Sequence, residues 1–535
     1  MDKQDKLRTN QYKNRKSIML IGIAGTSKDF LLSLHALKCF LYQDNYIKNN
    51  TEIILKQYYY IASNILMKKC EEILNDINKV KPDLLGFSCY VWNIDAIKYI
   101  SDRTKQRNNN IEIILGGPEI AREDIINGKF DTFKVDFLIF GEGEKPFQGL
   151  LRAIIESNSK TLQNIKGLAY RRDHSFFCNK ESDIIENLEK VPSPYLEGYV
   201  SEEILSRKGI RANIETQRGC NFNCAYCYYH KNFHNIRYKN ADIVIKEINF
   251  VFKKGIKAGR ILDANFLSNK DFAKKIVRGL IENKIKMSLV FEILPQFIDD
   301  EIAELFGRYI RISPENRVVA GIGIQTINQE ALRVIRRKIP VRYFDRAFNL
   351  LQKQNVLIKS DIILGLPRET KKTYFATIEY ITEKMRYGTN YLSLAHLRIL
   401  PGTDLVEIAK KEYLKIDKRN NAHFVYSTQD LPREDMLECL RINTVAFRLL
   451  SSLDIRNRMK IRDMFFDVKD TLHVTNIELL QYFKKEFFEF LKDRDVDYVK
   501  DDFPNAELYY ENKVHSDVPD GWIINKLVAL KKIGL

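Results

Sequence analysis

Two series of short β-branched or aromatic runs, each followed by a helix-length segment, constrain the fold of this chain more than any other feature. In the first series the runs are Ile18–Ala24, Glu52–Gln57, Leu84–Ser88, Ile111–Leu115 and Phe137–Phe140, bounded by turn-forming residues. The segments between them, Phe30–Tyr42 and Ile61–Lys79 among them, carry apolar residues at helical spacing. Strands of this kind separated by helices specify a doubly wound parallel sheet covered on both faces. Ligands of such sheets sit beyond the carboxyl ends of the strands, where the loops gather. Here those loops are Gly25-Thr26-Ser27, then Cys89-Tyr90-Val91-Trp92-Asn93 after Ser88, then Gly116-Gly117-Pro118-Glu119 and Gly141-Glu142-Gly143-Glu144. Their glycines let backbone approach a ligand closely, although tight strand–helix turns without a ligand use the same residues.

The second series contains Ala212–Thr216, Arg260–Asp263, Met287–Glu292, Val318–Ile324, Ile358–Leu364 and Tyr391–Leu397. Six βα units suggest a partial (β/α)6 barrel, with chemistry at the carboxyl ends of its strands. The stretch between the two series is irregular, with a hairpin expected around Gly167–Phe177 and a Pro-Ser-Pro turn at Pro192–Pro194. The α/β organisation expected is a polar tail over 1–16, a Rossmann-like sheet domain over 17–154, a linker over 155–205, the barrel over 206–404, and a mainly helical C-terminal domain over 405–535 that caps the substrate site.

Cys220, Cys224 and Cys227 follow the first strand of the second series at the spacing C-x3-C-x2-C. Thiolates are soft ligands suited to iron–sulfur clusters and to zinc. Three cysteines on one loop can wrap a corner of a four-iron cubane and leave one iron open. A zinc site would recruit His230 or His234 as a fourth ligand, although common zinc templates pair two C-x2-C knuckles. A disulfide is not expected in a chain whose other five cysteines, Cys39, Cys70, Cys89, Cys178 and Cys439, are scattered singly as small buried hydrophobes would be.

Composition narrows the classes. At 45% hydrophobic and 29% charged residues the chain is of ordinary globular type. No apolar run spans a bilayer and no secretory leader is visible in Met1–Lys16, so a cytoplasmic protein without membrane partners is expected. The net charge of +16 is concentrated in residues 161–404, which hold +13, against +4 before and −1 after. A basic middle suits an anionic substrate or an acidic redox partner. No RNA-binding signature accompanies it, so nucleic acid is not an expected partner.

The motifs then assemble into a resemblance. The cysteine triplet with Tyr226 before its last member resembles the signature of the radical S-adenosylmethionine (SAM) superfamily. Downstream and in order come Asp263-Ala264-Asn265-Phe266, Phe291-Glu292, Gly323-Ile324-Gln325-Thr326 with Arg336, Asp361 through Gly365-Leu366-Pro367 with Glu369-Thr370, and Leu400-Pro401-Gly402-Thr403. These resemble the family's strand-end elements, with Thr326 in place of Ser and Arg368 in place of Gly. Residues 17–150 are similar to the cobalamin-binding domain that precedes the barrel in one large subclass, most clearly over Pro82–Asn93. A D-x-H-x-x-G motif that would supply a histidine to cobalt is missing, and His35, the only histidine there, lies in an apolar helical stretch.

The resemblance implies three cofactors. A [4Fe-4S] cluster is held by Cys220, Cys224 and Cys227. SAM is contacted by Tyr226, Asp263, Glu292, Gln325, Asp361, Gly365, Leu366 and Pro367. Cobalamin is bound without a histidine ligand by Ser88, Tyr90, Trp92, Asn93, Gly116, Gly117, Pro118, Glu119, Gly141, Glu142, Gly143 and Glu144, with Trp92 as a bulky wall at its lower face. The implied activity is methylation of an unactivated carbon of a small-molecule or peptide substrate, fed by a flavodoxin- or ferredoxin-type electron donor. No residue stands out as a general acid or base, which suits hydrogen-atom abstraction. Rearrangement or cyclisation from the same radical is the enzymatic alternative. RNA methylthiolation is disfavoured because the first domain lacks its own cysteine triplet. A cobalamin-binding sensor with a structural zinc is the alternative of another class.

Overall fold

The computed structural model describes residues 15–25, 28, 30–59, 66–229, 235–337, 339–388, 390–417, 423–451, 455–493 and 518–533. The chain divides into two compact units. One comprises Met1–Asn221, Tyr228–Leu262 and Leu400–Gly402, and the other Phe222–Cys227, Asp263–Ile399 and Thr403–Leu535.

The first unit is built on β1 (Lys16–Ala24), β2 (Thr51–Tyr59), β3 (Leu84–Ser88), β4 (Glu112–Gly116) and β5 (Phe137–Ile139), all parallel. The spatial order is β2-β1-β3-β4-β5, so the chain reverses direction across the sheet between β1 and β3. Alternation along β1 explains why both faces are covered. Met19, Ile21 and Ile23 enter one core with Leu85, Phe87 and Ile113, while Ile18 and Leu20 enter the other with Leu84, Ile114 and Ile139. The helices covering the sheet include α1 (Leu32–Leu41), α2 (Leu66–Val80), α3 (Ile94–Arg107) and α4 (Glu144–Ile155). The start of the expected helix at Ile61 lies outside the described residues.

The hairpin expected in the connecting stretch is present as β6 (Leu168–Arg172) and β7 (Ser175–Cys178), but it is not part of a linker. β6 pairs antiparallel with β5 and extends the sheet to seven strands. The physical reason is the edge of β5: a three-residue strand would otherwise leave its backbone groups unpaired. Later in the same unit, β8 (Arg211–Ile214) pairs parallel with β11 (Ala258–Ile261). Between them β9 (Gln217–Arg218) and β10 (Arg237–Tyr238) form an antiparallel pair, followed by α5 (Ala241–Lys253).

The second unit holds the parallel strands β12 (Ser288–Glu292), β13 (Val318–Gln325), β14 (Leu357–Leu364) and β15 (Asn390–His396). They alternate with α6 (Lys270–Glu282), α7 (Asp300–Arg311), α8 (Val341–Lys353) and α9 (Lys371–Lys384). All six strands expected of the second series are therefore present, shifted by no more than a few residues. After residue 405 the chain is mainly helical, with a small hairpin of β16 (Lys415–Asp417) and β17 (Phe424–Ser427) not foreseen from the pattern. The long helices are α10 (Arg433–Leu450), α11 (Ile455–Leu472), α12 (Asn476–Lys492) and α13 (Asp520–Ile533). Buried Arg448 of α10 donates to the Val518 carbonyl at 2.9 Å and pairs with Asp520, fixing the start of α13. No described helix is long and apolar enough to cross a membrane.

Candidate functional site

In the first unit a cavity of about 290 Å³ opens at the carboxyl ends of β1, β3, β4 and β5. Its floor is apolar: Leu20, Gly86, Ile114 and Ile139 from the sheet face Leu34 and Leu37 of α1. At Gly86 a Cβ would come within 2.6 Å of Leu20 Cδ2, so a side chain there would push the leucine aside and crowd the floor. Of the twelve loop residues singled out in the sequence, Ser88, Tyr90, Gly116, Gly117, Pro118, Gly141, Gly143 and Glu144 line this cavity. Gly117 has φ +112°, and a Cβ on it would meet the Cys89 backbone at 2.7 Å. Glycine is what lets the loops after β3 and β4 run side by side.

Trp92, Asn93, Glu119 and Glu142 are not among the lining residues, and each has a visible alternative role. Asn93 is a brace: its Oδ1 accepts from Tyr90 N–H at 2.7 Å and its Nδ2 donates to the Ser88 carbonyl at 3.0 Å. The Trp92 indole stacks on Tyr90 at 4.4 Å and donates to the Ile23 carbonyl at 3.2 Å, stitching the end of β3 to the end of β1 at the switch point. It is 42% exposed. Glu119 is buried against Lys129 at 3.0 Å; burial raises its carboxyl above the ordinary range despite that lysine. His35 is a core histidine whose Nδ1 lies 2.9 Å from the Tyr199 carbonyl, and burial depresses its basicity. Within the loop Gly25-Thr26-Ser27, Thr26 and Ser27 lie outside the described residues, as do His230 and His234.

The cavity also has a charged wall that sequence reading missed. Glu215 and Arg218 line it together with Glu144. Arg218 reaches Glu144 at 2.7 Å and Glu215 at 2.9 Å. Burial opposes the guanidinium charge, but the carboxylates of Glu215, Glu144 and Glu142 outweigh it and hold Arg218 well above its usual value.

The cysteine loop straddles the division of the chain: Cys220 belongs to the first unit, Cys224 and Cys227 to the second. None of the three is in a disulfide; Cys224 is buried, and the other two are partly exposed. Among the described residues no three His, Cys, Asp or Glu side chains are gathered into a metal-binding group. In the second unit the loop is pinned at buried Ala225, whose N–H donates to the Ile335 carbonyl at 2.9 Å and whose carbonyl accepts from Leu405 N–H at 2.9 Å. Arg337 stands beside it. Its guanidinium donates to Cys224 Sγ at 3.6 Å, to Tyr226 Oη at 3.2 Å and to the Gly323 carbonyl at 2.6 Å. Burial works against this charge, but Tyr226 and the two cysteines overcome it. Arg336, the residue matched to the family stretch, instead makes an exposed pair with Asp404 at 2.6 Å. Two adjacent arginines cannot be ranked by pattern. The one turned inward is fixed by its place after the short helix Gln329–Val334.

The inward face of the second unit's sheet gathers the remaining candidates. Glu292, Gly321 and Lys359 lie opposite one another across β12, β13 and β14. Because Gly321 has no side chain, Lys359 reaches over it to Glu292 at 3.3 Å and to Asp361 at 3.0 Å. A Cβ at position 321 would come within 2.3 Å of the Glu292 carboxylate. Burial, together with Glu292, raises the Asp361 carboxyl although Lys359 pulls the other way. Gln325 ends β13 in the left-handed region at φ +66°, 7% exposed, with its Oε1 buried and without a hydrogen-bond partner. A strained, buried and unsatisfied acceptor at a strand end suits a ligand that brings a donor. Asn265 is placed by accepting from Leu294 N–H at 3.1 Å, and Asp263 is buried nearby in sequence. Gly365 turns at φ +94° into buried Leu366 and Pro367. Arg368 keeps the left-handed φ, +65°, expected of the glycine it replaces.

Comparison with known proteins fits this arrangement. A radical SAM superfamily model matches residues 214–381, and a B12-binding domain model matches 54–151. The chain joins a B12-binding domain to a radical SAM domain. It is 25% identical over 385 residues to the cobalamin-dependent radical SAM methyltransferase TokK of Streptomyces tokunonensis, covering 67% of this chain and 55% of that protein. It is 23% identical over 406 residues to the uncharacterized methyltransferase PH0819 of Pyrococcus horikoshii, covering 74% and 83%. The chain thus spans little more than half the length of the first of these relatives. In fold it is similar to the cobalamin-dependent S-adenosylmethionine radical enzyme OxsB, solved with aqua-cobalamin and S-adenosylmethionine bound, with TM-score 0.64 at 13% identity over 99% of this chain and 82% of that one.

The residues present fit the groups these domains hold. The B12-binding domain offers an apolar cleft of about 290 Å³ fringed by backbone and charged groups, which suits an apolar portion of a larger ligand whose polar groups lie at the rim. The radical SAM domain contributes soft thiol donors with a guanidinium beside them, and the unsatisfied Gln325 acceptor.

Proposed function

We propose that this chain is a cobalamin-dependent radical SAM enzyme that methylates an unactivated carbon of a small-molecule or peptide substrate. One observation carries the reading: a glycine-lined apolar cavity at the switch point of the first sheet stands on the same chain as three closely spaced cysteines, none in a disulfide, on the loop after β9. Cys220, Cys224 and Cys227 would hold a [4Fe-4S] cluster, and the loops at Ser88–Tyr90, Gly116–Pro118 and Gly141–Glu144 would hold cobalamin. When bound, the cluster with SAM supplies a radical that removes a hydrogen atom, and cobalamin supplies a transferable methyl group.

The chain's own residues position and exclude. Gln325 offers its free Oε1 to a donor on SAM. Glu292 and Asp361, held by Lys359, present carboxylates to its amino or hydroxyl groups, with Tyr226 and Asp263 as further contacts and Gly365-Leu366-Pro367 as an apolar edge. Arg337 counters negative charge at the cysteines. No buried acid–base pair is needed, because a hydrogen atom and not a proton leaves the substrate. An electron must come from outside, and a flavodoxin- or ferredoxin-type donor with an acidic face matches the basic residues 161–404.

Anaerobic purification and reconstitution tests the cofactors. Four irons with acid-labile sulfide and one cobalt per chain are expected, with 5′-deoxyadenosine released from SAM on reduction; zinc without iron would overturn the reading. Methyl-labelled SAM tests the outcome. Label in the product supports methylation, whereas unlabelled product alongside 5′-deoxyadenosine makes the chemistry a rearrangement or cyclisation.

A further inference from the structure

The charged wall of the first unit's cavity is also the anchor of the cysteine loop. Arg218 is the last residue of β9, and Cys220 follows after one glycine, Gly219, at φ +98°. Its guanidinium is shared among Glu215 at 2.9 Å, Glu144 at 2.7 Å and Glu142 at 3.4 Å. Glu144 and Glu215 line the cavity with it. Glu142 does not; it turns away to pair with Arg237 at 2.8 Å and to accept Ile185 N–H at 2.7 Å. Arg237 stands opposite Arg218 in the β9–β10 ladder and donates to the Ile185 carbonyl at 2.7 Å. Three carboxylates therefore hold two guanidiniums, one on each strand of the two-stranded ribbon from which the first cysteine departs.

Such a network is strong only while water is kept from it. Coulomb attraction between the same charges rises several-fold between an aqueous and a protein environment. Glu142 and Arg237 are buried in the folded chain; Arg218 and Glu144 are nearly as buried but line the cavity, which is their route to water. A molecule seated in the cavity would exclude that water and tighten the pair, leaving less freedom to the backbone at Arg218 and hence at Cys220.

We propose that Glu144 and Arg218 are positioning residues that couple the cavity to the cysteine loop, so that a corrinoid in the cavity strengthens retention of the iron–sulfur cluster and the cluster strengthens corrinoid binding by the same factor. Binding linkage requires that equality. The inference rests on the function proposed above, and it changes what the Gly-Glu-Gly-Glu loop does. Its carboxylates hold protein arginines, and they influence the cofactors through those arginines.

The test uses the full chain with its cluster reconstituted, with and without hydroxocobalamin. Iron loss to a chromogenic chelator is followed anaerobically. Hydroxocobalamin is expected to slow it about five-fold or more, at the lower end of typical coupling. Cluster-loaded protein should bind hydroxocobalamin more tightly than cluster-free protein by a matching factor. In Glu144→Gln the ratio of rates with and without corrinoid should fall toward one, whereas a variant that was merely less stable would lose iron faster under both conditions and keep the ratio. Arg218→Lys, which retains the charge but not the fork, should show an intermediate ratio and serves should Glu144→Gln not fold. A wild-type chain that binds both groups yet shows no protection overturns the coupling and leaves the proposed function standing. Undiminished protection in both variants overturns the assignment to these residues. A chain that binds neither group overturns both.

Discussion

Gly117→Ala is the most exacting test of how the cavity is built. The new methyl would meet the Cys89 carbonyl oxygen at 2.7 Å and the Cys89 nitrogen at 2.9 Å. Both are backbone atoms, and neither can swing aside. Cys89 N–H donates to the Gly116 carbonyl at 2.7 Å, and its carbonyl accepts from Glu119 N–H at 3.3 Å. Holding an alanine at φ +112° costs about 1–3 kcal/mol. Forcing the overlap costs about 1–3 kcal/mol more. The total, about 2–6 kcal/mol, is a large share of the roughly 5–15 kcal/mol that holds an ordinary domain together. Relief comes only by spreading the loops after β3 and β4, which carries Tyr90 and Pro118 away from the cavity. Urea unfolding followed by tryptophan fluorescence reports on it directly, because Trp92 stands in the affected loop and the only other tryptophan, Trp522, lies in the second unit. With a slope of about 2 kcal/mol per molar urea, the first unit's midpoint should fall by about 1–3 M. Gly25→Ala is the matched control: its Cβ would meet nothing within 4 Å, and a change within about 0.5 kcal/mol is expected. Hydroxocobalamin affinity should fall in Gly117→Ala and hold in Gly25→Ala. Equal stability and equal affinity for the two variants would refute the steric reasoning.

Two further outcomes follow from buried charge. Glu369 is fully buried, and burial raises its carboxyl despite the nearby hydroxyls of Thr373 and Thr326 and the amide of Asn328. A raised carboxyl favours folding only while protonated, so its contribution is intact below the unfolded value of about 4.3 and is lost as pH climbs toward the folded value. Glu369→Gln should therefore gain melting temperature relative to wild type between pH 5 and 8 and lose that advantage near pH 4; a difference independent of pH would contradict this. At the cysteine loop, Arg337→Lys should lower iron bound after reconstitution, because one ammonium cannot serve Cys224, Tyr226 and Gly323 together. Arg336→Lys should leave it unchanged, since an exposed pair is worth about 0–1 kcal/mol.

The fold was legible because burial on both sheet faces writes itself into sequence as continuous apolar runs. Ile18–Ala24 and Val318–Ile324 are unmistakable for that reason, and their strand ends carried the candidate residues with them. What pattern could not carry was the edge. β6 and β7 read as a connector because a strand such as Ser175–Cys178, half exposed and paired on one side only, has no apolar signature. The cavity's α1 side was hidden too. Leu34 and Leu37 look like ordinary core positions, and only the glycines opposite, such as Gly86, show that the helix and sheet leave space between them.

Charges were the least legible, and the reason is geometric. A motif gives the spacing of residues along one segment, whereas a buried ion pair is settled by distance between segments that the motif does not mention. Glu292 and Asp361 were visible as strand-end carboxylates, but Lys359, which holds both, sits two residues before Asp361 in a run that reads simply as strand. Its reach depends on Gly321 one strand away having no side chain. The same holds for Glu142 and Glu144, which are close in the motif but turn apart, the first to Arg237 and the second to the cavity. Arg337 and Arg336 are neighbours with opposite fates. In each case a burial cost of several kcal/mol per uncompensated charge forces a partner to be found. That cost makes the partner worth seeking in the structure, and once found it ties the candidate residues to the segments that position them.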